Sequence, residues 1–190
     1  MRSLWMLVFA AMMAYVAWWL IGSIRKRIVF EVDMALGVGS LWAAILVPNF
    51  FELPDLVPWP VGLSLAGYVM LYLSIGLFVV TILSLRRGGE PTSGWENTTV
   101  VTKSGIHGLV RHPMQLSGIL GACGAAVAQP ALVALVLSAV SVTCFALAAR
   151  AEDRFNAAKF GEPYRTYMEQ VPALNLIAGI WARLRSGKEP

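Results

Sequence analysis

The stretch "MQLSGILGACGAAVAQPALVALVLSAVSVTCFALAA", residues 114–149, decides the fold. It consists of two apolar runs, 114–129 and 131–149, joined at Gln129 and Pro130. Both are short for a crossing and only one hinge separates them, which predicts a tight helical hairpin. Small residues in "GILGACGAAVA" let backbones approach closely, and close approach is how helices associate in lipid. Working outward, further runs of roughly 20 apolar residues, the length that crosses the hydrocarbon, occupy 4–23, 34–51 and 61–85. Glu31 and Asp33 precede the second, and "FELPDLVPWP" after it is a loop, because a helix interior does not tolerate Pro54, Pro58 and Pro60.

Composition agrees. The 190 residues are 57% hydrophobic and 14% charged, against about 25% charged in a soluble domain. The mean hydropathy is +0.66. The expected class is an all-α integral membrane protein with about five transmembrane helices, the hairpin at 114–149 and a cytoplasmic C-terminal helical segment. The N-terminal run is too long for a signal peptide and no polar cleavage region follows, so it is expected to remain as the first span. Three N-terminal spans make up 1–87, and 88–190 forms a second region holding the hairpin, the polar stretch 88–113 and the tail. Cys123 and Cys144 lie in apolar runs without ligand spacing, so neither a disulfide framework nor a metal site is expected.

The net charge of +4 reflects basic loops at a membrane face and not a nucleic-acid partner. With five spans and the N-terminus outside, Arg25, Lys26, Arg27, Arg86, Arg87, Lys103, Arg111 and the seven basic residues from Arg150 onward all fall inside, leaving Arg2 outside. The polar stretch and the charged segment 150–170 then share the cytoplasmic face and meet at the base of the hairpin. Beyond 150 the sequence predicts an extramembrane amphipathic helix broken near Gly161 and Pro163. "ALNLIAGIWARLRSGKEP" after it is expected at the interface.

The meeting segments bring His107, Arg111 and His112 toward Glu152, Asp153, Tyr164 and Tyr167. An arginine fork suits a carboxylate or phosphate, acids suit a cation, and aromatic rings can cover an adenine or a sulfonium. As a set they describe a pocket for a zwitterionic ligand at the membrane surface. Taken singly, Arg111 and His112 fit interfacial anchors equally well.

"GIHGLVRHPMQLSG", residues 105–118, resembles the G-[VIP]-[YH]-x-x-x-R-H-P-x-Y-x-G signature of the isoprenylcysteine carboxyl methyltransferase and phospholipid methyltransferase family. "EDRFNAAKFGEPYRTYMEQVP", residues 152–172, is similar to that family's acidic tail, and "LRRGGEPTSGWENTTVVTKSG", residues 85–105, resembles its preceding loop. The resemblance implies S-adenosylmethionine in a cytoplasmic-side pocket and a lipophilic acceptor arriving from the membrane: a lipid amine, an isoprenoid or quinone-like molecule, a thiol or a carboxylate. By position it places cofactor contacts on Thr99, Val100, Val101, Thr102, His107, His112, Pro113, Met114, Gln115 and Asp153. Catalytic duty falls on Arg111, His112, Glu152 and Asp153, and acceptor contacts on Arg150, Tyr164 and Tyr167. A bacterial inner membrane, contact with membrane lipids and no metal are expected alongside it.

The chain departs from the signature in places. Gln115 replaces tyrosine, Ser117 precedes the glycine, Asp153 shortens the second acid, Asn156 replaces leucine, and Ala148 stands where relatives carry an arginine that Arg150 could supply. Two other readings accommodate parts of this. Membrane sterol reductases, which bind NADPH, share an R-H-P-like element and a tail that "KFGEPYRTY" also fits. A non-catalytic membrane protein retaining the fold could carry Gln115 and Ala148 as decay.

Overall fold

The computed structural model describes residues 2–88 and 99–186, with the side chains of 2–5 and 186 left aside. Among these residues all regular structure is helical: α1 (Arg2–Lys26), α2 (Val29–Phe51), α3 (Val61–Gly88), a 3-10 turn (Gly105–Gly108), α4 (Pro113–Ala128), α5 (Leu132–Phe160), α6 (Glu162–Gln170) and α7 (Leu176–Ser186). Four of them, α1, α2, α3 and α5, are long and apolar enough to cross a membrane, and α4 is a shorter apolar helix. The all-helical membrane architecture and the hairpin expected at 114–149 are therefore both present.

Two boundaries differ from the sequence reading. Helix α2 begins at Val29 and takes Glu31 and Asp33 into its first turns. Helix α5 does not end near 149: it runs unbroken for 29 residues, about 43 Å at 1.5 Å per residue, against a hydrocarbon thickness of ~30 Å. The charged segment 150–160 is thus the continuation of the hairpin's second arm. A break does come at Gly161, whose φ of +65° is costly for any residue with a Cβ. Pro163 then sits in the first turn of α6, where its missing N–H costs nothing.

Helix α4 packs against α2, α3 and α5. Its glycines permit this: a Cβ on Gly118 would lie 2.4 Å from the Phe145 ring, and one on Gly67 of α3 would lie 2.3 Å from the Ala128 nitrogen. Phe145 also packs with Met34 and Ala148, with Met114 and Ile119 against that core. Ser141 donates to the buried Gly37 carbonyl at 2.8 Å, tying α5 to α2. At one end of the bundle the proline loop is fixed by Trp59 Nε1 donating to Val127 O at 2.9 Å and Leu56 N–H to Pro130 O at 3.1 Å. At the other end lie the α1–α2 turn, the C-termini of α3 and α5, and the N-terminus of α4. Because α5 outruns α4's crossing there, its last three turns stand beside the R-H-P element.

Candidate active site

Arg111 and His112 form a short irregular link between the 3-10 turn and α4, closed from behind by the segment after α6. Arg111 N–H donates to Pro172 O at 2.9 Å and His112 N–H to Ala173 O at 3.0 Å. His112 is the N-cap residue of α4, and Pro113 follows at its first turn.

The Arg111 guanidinium is already engaged. Nη2 reaches Asp153 Oδ2 at 2.9 Å, and Nη1 donates to Met168 O at 2.6 Å and Val171 O at 2.7 Å. The sequence suggested that this fork would hold a ligand carboxylate or orient the acceptor; in the structure it clasps α5 to the C-terminal end of α6 and to Val171. Its Nε is buried without a partner.

His112 is 2% exposed and stands between two acids, Nε2 at 2.8 Å from Asp153 Oδ1 and Nδ1 at 3.4 Å from Glu152 Oε2. Burial alone would lower the pKa of this imidazole. The hydrogen bonds and charges of Asp153 and Glu152 outweigh that and push it up to about 9. His112 is therefore an imidazolium at neutral pH. His107 behaves oppositely: burial, assisted by the nearby His112 charge and opposed by Glu152, lowers it to about 4. Its Nδ1 lies 3.1 Å from Ser84 Oγ of α3.

Asp153 is heavily bonded, since Oδ1 also accepts from Tyr164 OH at 2.8 Å. Glu152 is less so. Its Oε2 accepts from Gln115 Nε2, and its Oε1 has only a 3.5 Å contact from Asn156 Nδ2. Tyr167 OH donates to His107 O at 2.6 Å, so both tyrosine hydroxyls are spent inside the cluster. Burial, then the surrounding carboxylates, raises both phenols well above their usual range.

The remaining sequence-derived residues divide. Val101 packs against Tyr164, Tyr167 and Val171, and Thr102 is buried with an unpartnered hydroxyl. Thr99 and Val100 are exposed. Met114 packs against the Phe145 core. Arg150 is exposed and Ala148 is sealed in that same core, so Arg150 does not occupy the place the missing arginine would take. Sequence reasoning noted Asn156 only as a departure and missed Ser84 and the Met168 and Val171 carbonyls. A polar residue one α-helical turn after Glu152 was the one available signal, since i and i+4 side chains meet on a helix. Residues 89–98 of the preceding loop lie outside the described residues. Among the described residues no group of three His, Cys, Asp or Glu is arranged to hold a metal ion.

Fold and site together define a helical integral membrane protein with a compensated charge cluster, two acids against an arginine and an imidazolium, at one end of its bundle. The chain belongs to the phospholipid methyltransferase family, whose profile matches residues 63–163 and so takes in the α4–α5 hairpin and every charged group of the cluster. It is also 33% identical over 106 residues to the cobalt-zinc-cadmium resistance protein CzcN of Cupriavidus metallidurans, a match covering 54% of this chain and 48% of the relative. The match thus spans about half the length of that curated relative.

Proposed function

We propose that this chain transfers a methyl group from S-adenosylmethionine to a lipophilic or membrane-associated small acceptor. The reading places the site at the cytoplasmic face of a bacterial inner membrane, with the N-terminus outside and the C-terminus cytoplasmic. It rests on one observation: His112 of the R-H-P element bridges Glu152 and Asp153 of α5, joining the two sequence elements at one end of the bundle. Family membership supports methyl transfer and weighs against the NADPH-dependent reductase. The engagement of Gln115 with Glu152 speaks against decay as the meaning of that departure. The segregation of basic residues supports the orientation.

The donor set suits the cofactor. Glu152 offers a carboxylate oxygen with lone pairs to spare, fitted to a cationic centre, while the Thr102 hydroxyl and Arg111 Nε are buried donors without partners. S-adenosylmethionine, when bound, supplies an electrophilic methyl on a sulfonium. The chain's own contribution is placement: Arg111 and His112 fix the two acids, and the buried Tyr164 and Tyr167 brace Asp153 and the His107 carbonyl from beneath. Holding donor and acceptor in line accounts for most of what methyl transfer needs. His112, already protonated at neutral pH, serves as a holder and not as a proton acceptor. An amine or thiol acceptor requires loss of a proton; Glu152, held as the carboxylate by His112 and Gln115, is suited to the cationic donor and not to taking that proton. Arg150, exposed at the rim, is assigned to the acceptor's polar end.

Calorimetric titration of the detergent-purified chain with S-adenosylhomocysteine, and separately with NADPH, tests this. Binding of the first alone, followed by transfer of labelled methyl into a membrane lipid extract, is the expected result. Binding of NADPH alone would return the reductase, and binding of neither the non-catalytic reading.

A further inference from the structure

Below the crossing at Pro172–Asn175, α3 and α4 leave an open apolar groove. Leu77 of α3 and Leu116 and Leu120 of α4 form its walls, and Ala173 to Ile177 form its roof. It offers about 740 Å³, within the ~300–1,000 Å³ common for ligand sites. The groove is separate from the charge cluster: Ala173, which lines it, accepts the His112 N–H, so the paired main chains form the partition.

Depth and charge identify the occupant. Leu116 and Leu120 lie in the first two turns of α4, and Leu77 lies eleven residues, about 16 Å, inside the C-terminal end of α3. These are hydrocarbon depths. Above the groove the chain carries no acid from Val171 to Ser186 but has Arg183 and Arg185, and α3 ends in Arg86 and Arg87. Along α7, Ile177, Ile180, Trp181 and Leu184 form an exposed stripe at helical spacing, the pattern of a helix lying in a headgroup layer. Gly179 on the inner side rests on the Leu109 carbonyl so closely that a Cβ would collide with it. Arg183 lies against Gly108 and Arg185 stacks on Trp181, but together with Arg86 and Arg87 they leave this end of the molecule with an excess of positive charge, and an apolar slot beneath it fits an amphiphile with an acyl tail and a negative head.

We propose that the groove seats one acyl chain of an anionic phospholipid from the surrounding leaflet, held as a resident lipid distinct from the methyl acceptor. Its headgroup lies among the arginines of α7 and of the α3 end. The lipid braces the 172–175 crossing from below, and that crossing fixes the Arg111–His112 link from behind. The proposal needs only the membrane setting and stands independently of the reaction.

Native mass spectrometry of the full chain released from nanodiscs of equal phosphatidylglycerol and phosphatidylcholine tests it. The expected result is one phosphatidylglycerol retained per chain, favoured at least about tenfold over phosphatidylcholine, or roughly 1.4 kcal/mol. Leu120→Trp, which fills the slot, should cut retention at least about fivefold, while Leu73→Trp on the exposed face of α3 should leave it unchanged. Should Leu120→Trp fail to fold, Ile177→Glu at the exposed mouth takes its place, with the same loss expected. Absence of a retained lipid, equal retention of both lipids, or undiminished retention in the filled variant would overturn the proposal. So would appearance of labelled methyl in the retained lipid after incubation with S-adenosylmethionine, which would make it the acceptor.

Discussion

His112 controls the pH behaviour of the cluster. Its folded pKa of about 9 lies above the ordinary 6.5, so the stability it contributes is complete below about 6.5 and is lost as pH rises toward 9. His107, lowered to about 4, acts in the other direction: the neutral form is favoured, and stability is lost as pH falls from about 6.5 toward 4. The melting temperature in detergent should therefore peak near pH 6.5 and fall on both sides. His112→Ala should abolish the alkaline limb and keep the acid one; an unchanged alkaline limb would separate His112 from the acids. At neutral pH, His112→Ala and Asp153→Ala should each weaken S-adenosylhomocysteine binding at least about tenfold, roughly 1.4 kcal/mol, as read by calorimetry on folded protein. Glu152→Gln keeps shape and loses charge. It should reduce cofactor affinity more than it reduces melting temperature, because Glu152 is the less saturated of the two acids. That the R-H-P element and the tail acids would meet was legible because opposite charges are written in residue types. The use of Arg111 was not, because two of its partners are main-chain carbonyls that no residue type announces.

Among the helices, α4 sets the tolerances. Its packing rests on glycines whose replacement brings atoms into collision, so Gly118→Ala should destabilise by about 1–3 kcal/mol, the usual cost of overpacking. A shortened side chain opposite, Phe145→Leu, should recover part of that loss in a double-mutant cycle, and strict additivity of the two would mean that the contact does not constrain the fold. The hairpin itself was readable from apolar run, hinge and small residues. The continuity of α5 was not: the change from apolar to charged at Arg150 looks like a boundary, yet Ala and Glu are strong helix formers and the helix simply leaves the hydrocarbon. Gly161, where it does end, was legible because glycine at a helix C-terminus has a backbone reason to be there.

For the molecule as a whole, the charge pattern makes a claim that labelling can decide. In a chain whose native Cys123 and Cys144 are replaced, a cysteine at Ser93 should resist an impermeant maleimide in sealed cells and react after permeabilisation. Reaction in sealed cells would invert the orientation. The all-helical membrane class followed from hydropathy alone, since the bilayer imposes length and composition directly; of the about five spans expected, four helices are long enough to cross and α4 is a shorter apolar one. The way α4 sits among α2, α3 and α5 did not, because it depends on which small residues face one another.

The clasp on Arg111 also bears on biogenesis. The carbonyls that receive its guanidinium stand 57 and 60 residues downstream, and a ribosome adding about 5–20 residues per second delivers them roughly 3–12 s later. Asp153, 42 residues downstream, arrives first, so the nascent hairpin enters the bilayer with the cation at its mouth unpaired at the start and then ion-paired but not yet clasped. The translocon therefore handles an unfinished centre, and a chain stopped anywhere between Asp153 and Met168 would expose a charged, half-assembled end that membrane quality-control proteases are well placed to recognise.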